Sequence, residues 1–141
     1  AACDLRIAAA DAIFSIPEID MGIPLAWGGI PRLVREIGPA MTRELVLDCR
    51  EFSAAEAQAL GFVNRRIPAE KLAEEAAAWA TRLAGKAGRL LAVTKRQVNA
   101  AAELLLPSAA AIGDADELLA ALGDPECREM SRNYLAARLK R

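Results

Sequence analysis

Glu18 and Asp20 are the residues of this chain best placed to do chemistry. They stand in IPEIDMG, residues 16–22, directly after the apolar run AIFSI and ahead of a loop rich in glycine and proline that reaches WGG at 27–29. A carboxylate in such a place is either a solvated loop charge or a proton-transfer group at the lip of a pocket. Asp20, two residues on, is the competing acid. The chain has no histidine, which excludes a Ser-His-Asp triad, a Cys-His pair and an imidazole metal site. Acid–base work therefore falls mainly to Asp and Glu. Cys3, Cys49 and Cys127 are far apart and read as isolated structural thiols rather than a disulfide framework or a metal clasp.

Gly28 and Gly29 lie between Trp27 and a helix starting near Ile30. Their amides and missing Cβ atoms would let a ligand approach the backbone closely. An ordinary loop-to-helix turn leaves the same trace, the pair lacks the spacing of dinucleotide or phosphate loops, and Trp27 could equally belong to the core.

The elements that must position these residues are legible in outline. LRIAA at 5–9 and AIFSI at 12–16 are short apolar runs that suit strands in a small hairpin-like or layered element, and FVNRRI at 62–67 suits a third. AACDL reads as the last turn of a helix without its beginning. Ile30, Leu33, Val34 and Ile37 form one helical stripe, which Gly38 and Pro39 end before a second helix runs to about Cys49. Ser53 and Glu56 form a capping box for a two-turn helix closed near Gly61. From Pro68 the chain is expected to be helical: a stripe of Leu72, Ala76, Trp79, Ala80 and Leu83, another with Leu91, Val98, Ala102 and Leu105 inward, a segment after Pro107, and a last helix opened by Asp124 and Pro125. So little strand for so much apolar helix reads as the back half of a larger fold in one domain.

Hydrophobic residues make up 54% of the 141 positions, enough for a buried core. Basic and acidic residues nearly cancel at 18 against 19, and no basic run with aromatics supports a nucleic-acid groove or an anionic membrane surface. No apolar run approaches the ~20 residues of a bilayer span. The start lacks the features of a secretory signal, so the cytoplasm is the expected compartment.

CDLRIAAADAIFSIPEIDMG and WGGIPRLVREIGPAMTRELVLDCREFSAAEAQALGFVNRRIP resemble the enoyl-CoA hydratase/isomerase, or crotonase, family. The likeness is close from Ala1 to about Pro68 and looser beyond, where AVTKRQVNAA is similar to the family's Lys-x-x-x-Asn helix. It implies an α/β fold: the C-terminal portion of a β-β-α spiral over 1–67, then a helical trimerisation region over 68–141, in one N-terminally incomplete domain. It further implies an acyl thioester of coenzyme A as substrate, no separate cofactor or metal, a role in fatty acid metabolism, and a homotrimer or dimer of trimers.

Glu18 falls at the family's second catalytic glutamate, which works with a first to add water across the 2,3 double bond of a 2-enoyl thioester. Pro17 matches beside it, and Ala26, Trp27 and Gly28 fall in the substrate-binding loop. Ile23, Pro24, Leu25 and Ala26 replace the Leu-Ile-Pro-Gly of relatives, which implies a reshaped acyl pocket. Tyr134 and Arg138, in REMSRNYLAAR, match the aromatic and basic residues that touch coenzyme A across subunits, with a solvated or trimer-packing helix as the competing reading. The first glutamate and both oxyanion amides would precede Ala1, so the chain alone is expected to be inactive. A family isomerase and a non-catalytic helical assembly module are the alternative functions.

Overall fold

The computed structural model describes residues 3–107, 111 and 113–139. Its elements run β1 (Ile7–Ala9), β2 (Ile13–Phe14), α1 (Gly29–Asp48), β3 (Phe52–Ser53), α2 (Ala54–Ala59), β4 (Arg65–Ile67), a 3₁₀ turn at Ala69–Lys71, α3 (Leu72–Ala84), α4 (Gly88–Leu105), α5 (Asp114–Gly123) and α6 (Pro125–Arg138). The elements fall into two compact units. One takes the chain up to Phe14 and again Phe52–Pro107; the other takes Ser15–Glu51 with α5 and α6.

In the first unit β1 pairs in parallel with β4, with Ala8 opposite Arg66, and β2 pairs antiparallel with β3, with Phe14 opposite Phe52. Of the two arrangements expected for these runs, hairpin-like or layered, the hairpin does not form, because β1 and β2 pair with other strands. The amide of Ala10 donates to the Ile67 carbonyl at 2.8 Å and that of Asn64 to Arg6 at 2.9 Å, so β1 spends its hydrogen bonds on β4. A turn closed from Ala12 to Ala9 then releases β2 toward β3, a strand the sequence reading did not anticipate. Aromatic packing reinforces that choice: Phe14 stacks on Phe52 with centroids 5.5 Å apart and meets Phe62 edge-on at 6.1 Å. Phe52, Ala54, Ala57 and Val63 form the buried centre.

α2 begins as the capping box requires, with the Glu56 amide donating to the Ser53 hydroxyl at 3.2 Å. The Arg65 guanidinium lies 4.0 Å from the centroid of the Trp79 ring and ties β4 to α3. Cys3–Leu5 are bends rather than a helical turn, because the Arg6 side chain pulls this stretch in by donating to the carbonyls of Cys3 and Phe62; the first two residues lie outside the described set. On α3, Leu72, Trp79 and Leu83 are half-buried while Ala76 and Ala80 are exposed. The α4 stripe is not inward: Leu91, Val98 and Leu105 are exposed and only Ala102 is half-buried, since no element of the described chain covers it enough.

In the second unit α1 is two helical segments. Gly38 leaves helical geometry at φ 77, ψ 164, and Pro39, whose ring has no N–H to give, opens the second segment. Pro31, Leu33, Thr42, Leu45 and Val46 are the buried residues, and Thr42 satisfies its hydroxyl by donating to the Gly38 carbonyl at 2.8 Å. Ile30 is exposed and the adjacent Pro31 takes the inward place. α6 starts at an Asp124 cap whose Oδ1 accepts from the amides of Glu126 and Cys127 at 2.9 and 3.0 Å. Among the described residues no helix is long and apolar enough to cross a membrane.

Candidate active site

Glu18 opens a compact loop in the second unit. The amides of Met21, Gly22 and Ile23 donate back to the carbonyls of Pro17, Ile19 and Glu18 at 2.9, 2.9 and 3.0 Å, so the loop is closed by its own backbone. Asp20 sits at its exposed edge, whereas Glu18 is half-buried. The Oε2 atom of Glu18 is buried and has no hydrogen-bond partner among the described residues. A buried, unpaired carboxylate oxygen is costly, and a catalytic role or a bound water, ion or ligand is among the reasons proteins hold one. The two acids of this loop thus stand in different surroundings.

Gly22 and Ser131 fix the loop to α6. Gly22 has φ 72, and a Cβ on it would lie 2.1 Å from the Cys127 carbonyl oxygen, so no other residue fits without displacing backbone. The Ser131 hydroxyl donates to the Met21 carbonyl. Beside this contact, removal from water and then the nearby Asp124 carboxylate push the Cys127 thiol up from its ordinary value.

Downstream, Ala26 is 4% exposed while Trp27 is 70% exposed with φ 57, which excludes the core reading of Trp27. Gly28 has φ 70 and donates its amide to Asp114 Oδ2 at 2.8 Å, joining the start of α1 to the start of α5. Ala26, Trp27 and Gly28 line a cavity of about 420 Å³ with Arg32, Asp114 and Leu118. Pro17, Tyr134 and Arg138 line a second one of about 240 Å³ with Ser15, Asp20 and Cys49. There the Arg138 guanidinium lies 5.3 Å from the centroid of the Tyr134 ring, one helical turn apart on α6. The sequence-derived site residues therefore divide between two cavities, with Glu18 lining neither. Asp114 and Ser131 escaped the sequence reading, since their partners lie 86 and 110 residues away; Ser131 stands within REMSRNYLAAR, where only Tyr134 and Arg138 were singled out. Among the described residues no cluster of three or more Cys, Asp or Glu has metal-holding geometry.

The sequence profile of the family described as Enoyl-CoA hydratase/isomerase matches residues 1–137. A Mycobacterium tuberculosis protein named "Probable enoyl-CoA hydratase" is 42% identical over 101 residues, covering 72% of this chain and 39% of its own. The crystal structure of carnitinyl-CoA hydratase from Mycobacterium avium superposes with a TM-score of 0.82 at 27% identity, over 98% of this chain and 52% of that one. The crystal structure of methylmalonyl-CoA decarboxylase superposes with a TM-score of 0.79 at 25% identity, over 95% of this chain and 53% of that one. The chain thus spans well under half the length of the mycobacterial relative and about half of each structure, and its few strands and many helices are the C-terminal portion of the crotonase fold. The chain belongs to the enoyl-CoA hydratase/isomerase family.

Proposed function

We propose that Glu18 is an acid–base residue of an enoyl-CoA hydratase, acting on the 2,3 double bond of a 2-enoyl thioester of coenzyme A. The observation that supports this most is the buried Oε2 of Glu18, without a partner among the described residues, next to an exposed Asp20. In this reaction water adds its oxygen to C3 and a proton goes to C2. The thioester oxygen gains charge in the transition state and needs fixed N–H donors. Glu18 supplies one of the two proton-transfer groups; the resemblance assigns the other glutamate and the oxyanion amides to sequence outside this chain. Coenzyme A belongs to the substrate and no further cofactor is invoked. Pro17, Ala26, Trp27, Gly28, Tyr134 and Arg138 are proposed to border the substrate.

The same reading includes a homotrimer built through the helical tail, supported by the apolar residues left exposed on α4. It also places the protein in the cytoplasm, which its three free thiols suit. The test is Glu18→Gln in the complete protein with crotonyl-CoA, against Asp20→Asn as the control. The expected result is a kcat lower by ~10²-fold or more with KM nearly unchanged, while Asp20→Asn keeps its rate. Equal losses in both would mean loop damage, and a normal rate in Glu18→Gln would remove the assignment. Turnover of a 3-enoyl thioester in place of hydration would favour the isomerase reading.

A further inference from the structure

Among the described residues Glu18 Oε2 has no hydrogen bond to hold it, so the backbone that carries the side chain matters to where the carboxylate points. That backbone is held to α6 at Met21 and Gly22. Met21 and Ile23 donate to the carbonyls of Pro17 and Glu18, closing the loop on itself, and Met21 in turn accepts from the Ser131 hydroxyl of α6. One residue further, Gly22 packs so closely on the Cys127 carbonyl that a single added carbon would collide with it.

Cys127, Ser131, Tyr134 and Arg138 follow one another at helical spacing on a single face of α6. The first two grip Met21 and Gly22, and the last two border the cavity that Pro17 and Asp20 share. A serine inside a helix commonly returns its hydroxyl to the carbonyl four residues back. Here it reaches the loop instead.

From this arrangement we infer that Ser131, acting through the Met21 carbonyl, is a positioning residue for Glu18. The inference rests on the acid–base role proposed for Glu18. Ser131 touches no reacting atom; it holds the turn whose first residue is the acid. The Oε2 atom of Glu18 has no bond of its own among the described residues, so loss of this anchor loosens the turn that carries it, and small misplacements of catalytic groups are expensive in rate.

Two measurements test it. In this chain, hydrogen–deuterium exchange of the Met21, Gly22 and Ile23 amides should quicken by about 5- to 10-fold in Ser131→Ala, the equilibrium worth of one hydrogen bond, with the amides in the middle of α6 unchanged. In the complete protein, Ser131→Ala should lower kcat by about 10- to 100-fold at nearly constant KM, and Ser131→Thr, which keeps the hydroxyl, should restore most of the rate. Exchange that is unaltered, or quickened throughout α6, would overturn the positioning role, as would an Ala variant whose KM changes as much as kcat. Gly22→Ala, expected to disrupt the same contact, should quicken the same amides if it folds. A Glu18→Gln variant at full activity would remove the hydratase reading and the positioning role with it, whereas unaltered exchange in Ser131→Ala removes the latter alone.

Discussion

The amide of Gly28 and the carboxylate of Asp114, 86 residues apart, are joined at 2.8 Å. The bond fixes the left-handed Trp27–Gly28 turn at the entry to α1 by a group from the first turn of α5. A partly buried hydrogen bond to a charged acceptor is worth about 1.5–3 kcal/mol. Asp114→Ala should therefore lower the unfolding free energy by about 1–2 kcal/mol once part of the loss is recovered by water. Asp114→Asn, which keeps an oxygen acceptor without the charge, should lose less. Urea denaturation followed by circular dichroism reads both; equal midpoints for Asp114→Ala and the parent would mean that the contact contributes nothing to stability.

Phe52 is the hinge of the aromatic cluster, buried against Phe14 in the two-residue β2–β3 pairing. So short a ladder has little hydrogen bonding to sustain it, and side-chain burial must supply the rest. Phe52→Ala should cost about 3–5 kcal/mol and Phe52→Leu about 1.5 kcal/mol or less. A loss below about 1 kcal/mol in the alanine variant, measured by the same denaturation, would show that the cluster is not what pairs these strands.

How much of this could be read beforehand followed the range of each interaction. The caps at Ser53 and Asp124 and the break at Gly38–Pro39 were legible because the residues that make them are neighbours in the chain. β3 was not, because Phe52–Ser53 is extended only by virtue of Ile13–Phe14 far behind it. The hairpin alternative failed for the same reason: two apolar runs close in sequence suggested each other as partners, while their hydrogen bonds went elsewhere. The periodicity of α4 was visible, but periodicity does not say what covers the stripe. At the candidate site, loop context offered Glu18 and Asp20 alike and the family resemblance chose Glu18; the burial of its Oε2 and the anchor from Ser131 depend on packing that no local pattern encodes.

The Asp124 cap should make α6 sensitive to acid. The Cys127 amide chiefly, with that of Glu126, holds the Asp124 carboxyl below its ordinary value by bonding the charged form. A depressed folded pKa stabilises above the unfolded carboxylate value of about 3.9, and the contribution is lost as pH falls through the lower folded value. Asp124→Ala should thus have a lower Tm than the parent at neutral pH, and the gap should narrow only below about pH 4. Asp124→Asn, which caps without titrating, should narrow the gap at neutral pH and show no such trend. A gap that closes between pH 5 and 7 would assign the effect to another group.

On α4 the described chain leaves Leu104 and Leu105 87% and 86% exposed, with Val98 at 61% and Leu90 at 66%. Monomeric proteins rarely leave large apolar patches in water, and burying one leucine side chain contributes about 1.5–3 kcal/mol. The chain should therefore self-associate with a defined stoichiometry. Two charges placed in the stripe, Leu104→Lys with Leu105→Glu, would remove two such contributions and should weaken association by at least ~10²-fold, while helicity by circular dichroism stays near the parent's because both positions are already exposed. Light scattering across a wide concentration range separates the outcomes. A parent that is monomeric at every concentration, or a double variant that associates as tightly as the parent, would mean that α4 is not the face through which copies of this chain meet.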